Sequence, residues 1–107
     1  MRFQINGPIM DLCVLSILKT GPAYGYRLTQ EMKRFFPVSE STLYPVLRRL
    51  CRQGLLETYD VQTDGRNRRY YRLTQAGIDT QKETRSEWIA FADTINRLLE
   101  ENGEKQE

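Results

Sequence analysis

The chain has 107 residues, of which 39% are hydrophobic and 28% are charged, and its net charge is +2. This size and composition predict one globular domain with a modest core and exclude a disordered chain. Because the sequence has no histidine and only two cysteines, neither a zinc site nor a Ser-His or Cys-His nucleophile can be assembled. We therefore expect a protein that is not an enzyme and that has no metal site and no cofactor.

The sequence gives no sign of a membrane or secretory protein. No apolar run approaches the roughly 18 residues that cross a bilayer, and the N-terminus lacks the apolar segment and cleavage site of a signal peptide. We expect a cytoplasmic protein with no membrane partner.

Charge is distributed unevenly along the chain. Residues 1–40 carry five basic and three acidic side chains, residues 41–72 seven and three, and residues 73–107 four and eight. A basic middle between a nearly balanced start and an acidic tail indicates a surface that binds a polyanion, with a separate solvated element after it.

The first predicted helix begins near Pro8 and ends at about Lys19, before Gly21. It is apolar on nearly every side, and a helix of this kind is buried on every side. A domain of this size covers only one side of such a helix. The pattern therefore predicts a homodimer, with Leu12 and Leu15 of this helix at the interface.

A second helix is predicted over residues 23–36, ending before Pro37. Its apolar residues recur at helical spacing and form an inward face. That face consists of Tyr24, Leu28, Met32 and Phe35.

A third helix follows, with Ser41 as the predicted N-cap and Gly54 after its end. One stripe of its helical wheel is apolar, and the opposite side carries Arg48 and Arg52, flanked by Arg49. If Ser41 caps the helix, Pro45 is its fourth residue and removes at most the first hydrogen bond of the helix.

The segment after this helix predicts a β-hairpin. Two strand-like runs flank Asp64-Gly65, a strong signal for a tight two-residue turn. The arginines Arg66, Arg68 and Arg69 lie at or near the tip. Because side chains alternate along a strand, Tyr70 and Tyr71 point to opposite faces, and we expect Tyr71 to face the core.

A long helix is predicted from Thr74 to about Asn102. Its second half has apolar residues at a 3-4-3 spacing, which is typical of a helix that pairs with another helix. With the neighbouring Leu99, these residues are predicted to form the dimer interface: Trp88, Phe91, Ile95, Leu98 and Leu99.

Three helices and a basic hairpin predict a fold that is mainly α with a small β-hairpin: a winged helix-turn-helix over residues 1–73 and a C-terminal dimerisation helix and short tail over residues 74–107. In such folds the third helix enters the major groove of double-stranded DNA and the hairpin reaches the adjacent backbone. The predicted DNA-binding residues are Tyr24, Ser39, Ser41, Thr42, Tyr44, Arg48, Arg49, Arg52, Arg66, Arg68 and Arg69.

Three motifs carry a resemblance to a known family. The segments "AYGYRL", "STLYPVLRRL" and "GRNRRYYRLT" resemble the PadR family of bacterial transcriptional regulators, in the same order and at similar spacings over about residues 10–77. The short tail with Trp88 is similar to the small subfamily typified by the multidrug-responsive regulator LmrR. The resemblance implies a dimeric repressor that binds a pseudo-palindromic operator.

The subfamily resemblance also implies an apolar pore at the dimer axis, in which tryptophans sandwich planar aromatic drugs or flavin-like molecules. Asp93 lies one place away from the acidic position of the pore, and Cys51 stands where the family usually has an acidic residue. The residues implied to line the pore are Ile5, Pro8, Ile9, Leu12, Trp88, Phe91 and Ala92.

Three alternatives stand beside this interpretation, and one is a winged helix that is used only as a protein-interaction module. Cys13 and Cys51 fit small core residues best, but they also allow a winged-helix regulator that senses thiol oxidants or metalloids. Trp88 fits either a ligand platform or ordinary packing in a helix interface.

Overall fold

The computed structural model describes residues 3–5 and 7–103. It is mainly helical, with a small three-stranded antiparallel sheet of order β1-β3-β2, which confirms the predicted fold class. The elements in chain order are α1 (Gly7–Leu18), β1 (Ala23–Tyr24), α2 (Gly25–Lys33), α3 (Glu40–Arg52), β2 (Leu56–Thr63), β3 (Arg66–Leu73) and α4 (Gln75–Glu101).

The core lies where α1, α2 and α3 meet the base of the sheet. Each helix contributes the apolar residues of one face, and burial of these side chains is the main force that holds the helices together. The predicted stripe of α3 is confirmed, because Leu43, Leu47 and Leu50 have no exposed surface. The buried core consists of Met10, Val14, Leu15, Leu18, Ala23, Leu28, Met32, Val38, Leu43, Leu47, Leu50 and Leu56.

The second helix is shorter than predicted. Tyr24 is extended, with φ −87° and ψ 163°, and with Ala23 it forms β1, which pairs with Tyr70 and Tyr71 of β3. At the other end the helix stops at Lys33. Phe35 is therefore 64% exposed, and its predicted place on the inward face is wrong.

The third helix begins two residues earlier than predicted. Ser39, not Ser41, is the N-cap, and its hydroxyl accepts a hydrogen bond from the Thr42 amide at 3.3 Å. Pro45 is consequently the sixth helical residue. Because proline has no N–H, the Ser41 carbonyl receives no hydrogen bond from it, one turn inside the helix.

The hairpin forms as predicted, with β2 and β3 paired from Leu56–Leu73 to Thr63–Arg66. Asp64 and Gly65 have φ angles of 52° and 76°, the left-handed conformations that a type I′ turn requires. Tyr71 packs against the core, which confirms the predicted alternation.

Helix α4 leaves the sheet through a tightly fixed joint. The Thr74 hydroxyl caps the helix by accepting from the Gly77 amide at 3.0 Å, and it donates to the Gly54 carbonyl at 2.6 Å. Two turns after Thr74, Gln81 is buried against α1 and donates to the Ser16 hydroxyl at 3.1 Å. The first half of α4 therefore packs on its own chain, whereas the second half projects from it. Within residues 3–5 and 7–103, no helix is long and apolar enough to cross a membrane.

Candidate nucleic-acid interface

A groove between α3 and the hairpin brings together three predicted DNA-binding arginines. Arg48 lines the groove from α3, and Arg68 and Arg69 line it from β3. The groove has a volume of about 320 Å³. Its other lining residues are Tyr24, Gly25, Tyr26, Tyr44 and Tyr71. Three arginines that line one open, aromatic-walled groove attract a phosphate backbone.

A second groove continues this surface along α3. It has a volume of about 250 Å³ and is lined by Arg48, Arg52 and Arg69. Its floor is formed by Cys51, Thr58 and Tyr71. Because Arg48 and Arg69 line both grooves, the two form one basic surface, which we call the α3–wing surface.

The N-terminal end of α3 carries a cluster of hydroxyl groups. Ser39 Oγ lies 2.9 Å from Ser41 Oγ and 3.2 Å from Thr42 Oγ1, and all three residues are exposed. Hydroxyl groups at a helix N-terminus are suited to phosphate oxygens, because the helix dipole is positive there.

The Tyr44 side chain, which was predicted to bind DNA, is held by contacts within the protein. Its hydroxyl donates to Glu40 Oε2 at 2.6 Å, and this hydrogen bond, with burial and the nearby charge, raises the pKa of Tyr44 to about 12. Its ring lies against the backbone of α2, where a Cβ on Gly25 would come within 2.6 Å of it. Tyr44 is thus held between α2 and α3.

Arg49 is directed away from the α3–wing surface. Its Nη1 and Nη2 donate to the two carboxylate oxygens of Asp11 at 3.1 and 2.6 Å. These hydrogen bonds raise the pKa of the Arg49 guanidinium and join α3 to α1. The structure therefore gives Arg49 a role in holding the fold together and does not bring it together with the other predicted DNA-binding arginines.

Packed aromatic rings lie on the outer face of the sheet, which is turned away from the core, and they stabilise the β2–β3 hairpin, called the wing. The Tyr70 ring meets Tyr24 edge-on and stacks on Tyr59, with ring centroids 5.5 Å apart in both pairs. The Arg68 guanidinium lies 4.5 Å from the centre of the Tyr24 ring. Arg69, on the inner face, is 3.4 Å from Asp60, whereas Arg66 at the tip is exposed.

A separate apolar groove of about 340 Å³ lies between α1 and α4. Five of the residues predicted to bind a ligand line it, together with Thr84 and Glu87, which the sequence did not indicate. The five are Pro8, Ile9, Leu12, Trp88 and Phe91.

Three of the residues predicted for the pore or the dimer interface do not line this groove. Ile5 lies in a different groove, beside Met10 and Phe36, and packs against the core. Ala92 is half-buried but does not line the apolar groove. Leu15 is only 1% exposed, so its own chain buries it and it cannot form an interface with another.

The second half of α4 presents a continuous apolar stripe to solvent. Its members are 42–59% exposed, although they are among the most hydrophobic side chains of the protein. The stripe consists of Trp88, Phe91, Ile95, Leu98 and Leu99.

Neither cysteine has the features of a reactive thiol. Cys13 and Cys51 are half-buried, and burial raises the pKa of both thiols, although Arg69 partly opposes this at Cys51. In the described part of the chain, no group of three or more His, Cys, Asp or Glu side chains could hold a metal ion.

The residues that sequence reasoning missed lie next to those it found. Tyr26 belongs to the same "AYGYRL" segment as Tyr24, and its exposed ring lines the groove. Glu40 precedes the predicted cap, so it was placed outside the helix. Asp11 gave no signal, because its partner Arg49 is 38 residues away.

Three helices followed by a basic two-stranded wing define a winged helix-turn-helix protein. The chain belongs to the transcriptional regulator PadR-like family, whose sequence profile matches residues 14–83. This is a family of transcription regulators and not of enzymes.

Three known proteins illustrate the similarity. The protein smu.1704 from Streptococcus mutans is 33% identical in sequence to this chain, and its crystal structure matches with a TM-score of 0.86 over 94% of each chain. Transcriptional regulator Rv3488 of Mycobacterium tuberculosis is 48% identical over 63 residues, which are 58% of this chain and 59% of that protein. PadR of Bacillus subtilis, crystallised with operator DNA, is 23% identical, with a TM-score of 0.65 over 74% of this chain and 46% of that one, and it shows a shared fold.

Proposed function

We propose that the protein is a homodimeric transcriptional repressor that binds a pseudo-palindromic operator through the α3–wing surface. The observation that carries this proposal is the convergence of Arg48, Arg68 and Arg69, from two different elements, on one groove. Among the described residues, these three arginines form a single ion pair, between Arg69 and Asp60 at 3.4 Å, so the group keeps most of its positive charge.

In this proposal the N-terminal end of α3 enters the major groove, and the wing follows the adjacent backbone. Ser39, Ser41 and Thr42 contact phosphate at the entrance, while Arg48 reaches a phosphate or a guanine edge. Tyr24, Arg52, Arg66, Arg68 and Arg69 complete the DNA contacts. The operator complex of Bacillus subtilis PadR supports this arrangement, because that protein shares the fold.

The dimer supplies the two-fold symmetry. We assign residues 1–73 to DNA binding and residues 74–107 to dimerisation, because the exposed stripe of α4 continues through Ile95, Leu98 and Leu99, beyond the groove that α4 forms with α1. Pairing of two such stripes removes a large apolar area from water. Two α3 helices related by this axis meet half-sites about 34 Å apart, one turn of DNA.

The apolar groove between α1 and α4 is the proposed sensor. Trp88 and Phe91, whose ring centroids are 6.3 Å apart and whose planes are inclined at 45°, offer aromatic faces on which a planar aromatic compound can stack. A ligand of this class weakens DNA binding if it prefers a dimer geometry that does not match the operator, and only by its difference in affinity for the two geometries.

The thiol-sensing alternative has less support. A thiol reacts as its thiolate, and burial raises the pKa of both Cys13 and Cys51. In the described residues, no group of three or more His, Cys, Asp or Glu side chains could bind a metal or metalloid ion.

Fluorescence anisotropy with labelled duplexes tests the proposed DNA binding. We expect affinity to fall steeply between 50 and 200 mM salt, by about tenfold or more, because bound phosphates release counterions. Arg68→Ala should reduce the slope of log affinity against log salt by about one. Lys82→Ala on α4 is the matched control and should leave the slope unchanged. Absence of duplex binding at low salt would refute the proposal.

A further inference from the structure

We propose that Glu40 determines part of the operator sequence, by accepting a hydrogen bond from the exocyclic amino group of a cytosine in each half-site. This inference rests on the proposed function and adds a specificity-determining residue to it. Tyr44 is the positioning residue that holds the Glu40 carboxylate in place.

The geometry fixes one carboxylate oxygen and leaves the other available. Tyr44 donates its hydroxyl proton to Glu40 Oε2 at 2.6 Å. Its ring cannot move towards α2, because it already occupies the space that a side chain on residue 25 would need, and that residue is glycine. The carboxylate is therefore oriented by its neighbour, and within the described residues no group donates a hydrogen bond to Oε1.

Glu40 lies at the end of the helix that enters DNA. It is the first residue of α3 and follows the capping residue Ser39. The N-terminal residues of a recognition helix are those that contact base edges. A side chain at this position that is half-exposed and already oriented is suited to base contact.

The charge of Glu40 distinguishes it from the two acidic residues on the strands of the wing, each of which lies beside an arginine. Glu57 lies 2.7 Å from Arg72, and Asp60 lies 3.4 Å from Arg69. Among the described residues, no lysine or arginine forms an ion pair with Glu40. A carboxylate without a cation is repelled by phosphate, so in the complex it is stable only where it meets a hydrogen-bond donor.

The major groove offers such a donor at specific bases. Cytosine presents its N4 amino group there, and glutamate is the side chain that accepts from it, whereas guanine presents only acceptors. A competing explanation is that Glu40 merely stabilises the N-terminus of α3 through the helix dipole. That explanation predicts an effect on stability and none on the preferred base.

Selection of duplexes from a randomised 30-base-pair library separates the two explanations. The full-length wild-type protein should select half-sites with a cytosine at one position. Glu40→Gln should lose about fivefold to tenfold of this cytosine preference and shift it towards adenine, because an amide pairs with the N6 and N7 atoms of adenine. Preferences at the other positions should not change.

Two further variants complete the design. Tyr44→Phe should keep cytosine as the preferred base but with a smaller margin, because the carboxylate is intact and no longer oriented. Glu83→Gln on α4 is the matched control, and its selected sequences should equal those of the wild type. Thermal unfolding should confirm that all three variants are folded.

Identical base preferences for the wild type and Glu40→Gln would overturn the inference while leaving DNA binding intact. Failure of the wild type to select any duplex would instead refute the proposed function, and the inference with it. A uniform loss of affinity in Glu40→Gln, without a change of preferred base, would favour the helix-dipole explanation and reject base recognition.

Discussion

Arg49 binds both carboxylate oxygens of Asp11, with N–O distances of 3.1 and 2.6 Å, and so joins α3 to α1. Its neighbour Arg48 points into the groove beside the wing. Two adjacent arginines therefore have different roles: Arg49 fixes α3 in the fold, and Arg48 is exposed to the proposed DNA.

Alanine substitutions should separate these two roles. We expect Arg49→Ala to lower the free energy of unfolding by about 1–2 kcal/mol, because it removes a bidentate, charge-assisted pair that is only partly exposed. Arg48→Ala should change stability by less than about 0.5 kcal/mol and weaken duplex binding. Urea unfolding and fluorescence anisotropy measure the two effects. The same stability loss in both variants would contradict the assignment.

Tyr44 should give the protein a distinct stability profile at high pH. The folded protein raises the pKa of Tyr44 to about 12, above its ordinary value of 10.0, chiefly because its hydroxyl donates to Glu40. The stabilisation is therefore fully present below pH 10 and is lost as the pH rises towards 12. Urea unfolding should show that the stability difference between wild type and Tyr44→Phe shrinks over this range. A difference that stays constant would show that the hydrogen bond is absent.

Gly77 allows α4 to start against the base of the wing. A Cβ at this position would lie 2.1 Å from the Leu55 carbonyl oxygen, which is backbone and cannot move aside easily. We expect Gly77→Ala to destabilise the protein by about 1–3 kcal/mol, although alanine favours helices. Ala76→Gly at the exposed neighbouring position is the comparison, and its cost should stay near 1 kcal/mol. Thermal and urea unfolding measure both, and an unchanged stability for Gly77→Ala would contradict the close approach.

Charge on the α4 stripe should dissociate the proposed dimer. Ile95→Glu and Leu98→Glu together place two carboxylates in the apolar interface, where burial of an unpaired charge is costly. Sedimentation equilibrium should then show a monomer of 12.6 kDa in place of a dimer. Ala90→Glu, on the opposite side of the helix, should leave the dimer intact. A wild-type monomer at micromolar concentration would refute the dimer itself.

The single tryptophan reports on the proposed ligand groove. Titration with planar dyes and flavins should quench Trp88 fluorescence saturably, at about one molecule per dimer if the site lies on the two-fold axis. Trp88→Ala should abolish dye binding, followed by dye absorbance, while the dimer and its DNA affinity persist. Loss of the dimer in this variant would instead assign Trp88 to interface packing.

Local sequence patterns predicted the parts of the fold that depend on near neighbours. An apolar run between Pro8 and Gly21 located α1, and helical spacing located α3 and α4. Asp64-Gly65 located the hairpin turn, because the turn requires left-handed conformations at these two residues. The sequence did not reveal β1, since Tyr24 is extended only because Tyr70, far along the chain, pairs with it. Ser39 and Ser41 are equally good caps by residue type, so the sequence could not decide between them.

For the candidate site, too, the sequence predicted some features and missed others. The sequence identified the arginines of the α3–wing surface, because arginines that are close together along the chain also lie close together in the folded protein. It could not show that Arg49 is bound by Asp11 or that the Tyr44 hydroxyl donates a hydrogen bond to Glu40, since these contacts depend on which side chains meet in space.

The length of α4 has a mechanical consequence. Its 27 residues form a rod of about 40 Å that is anchored on its own chain near one end by Thr74 and Gln81. A tilt of about 5° at that anchor moves the far end by about 3.5 Å, roughly the rise of one base pair. In a dimer whose two α4 helices join at their far ends, a small tilt at the anchored end of α4 therefore changes the relative position of the two subunits. A rearrangement too small to disturb the core of either subunit is enough to shift the two recognition helices out of register with the operator.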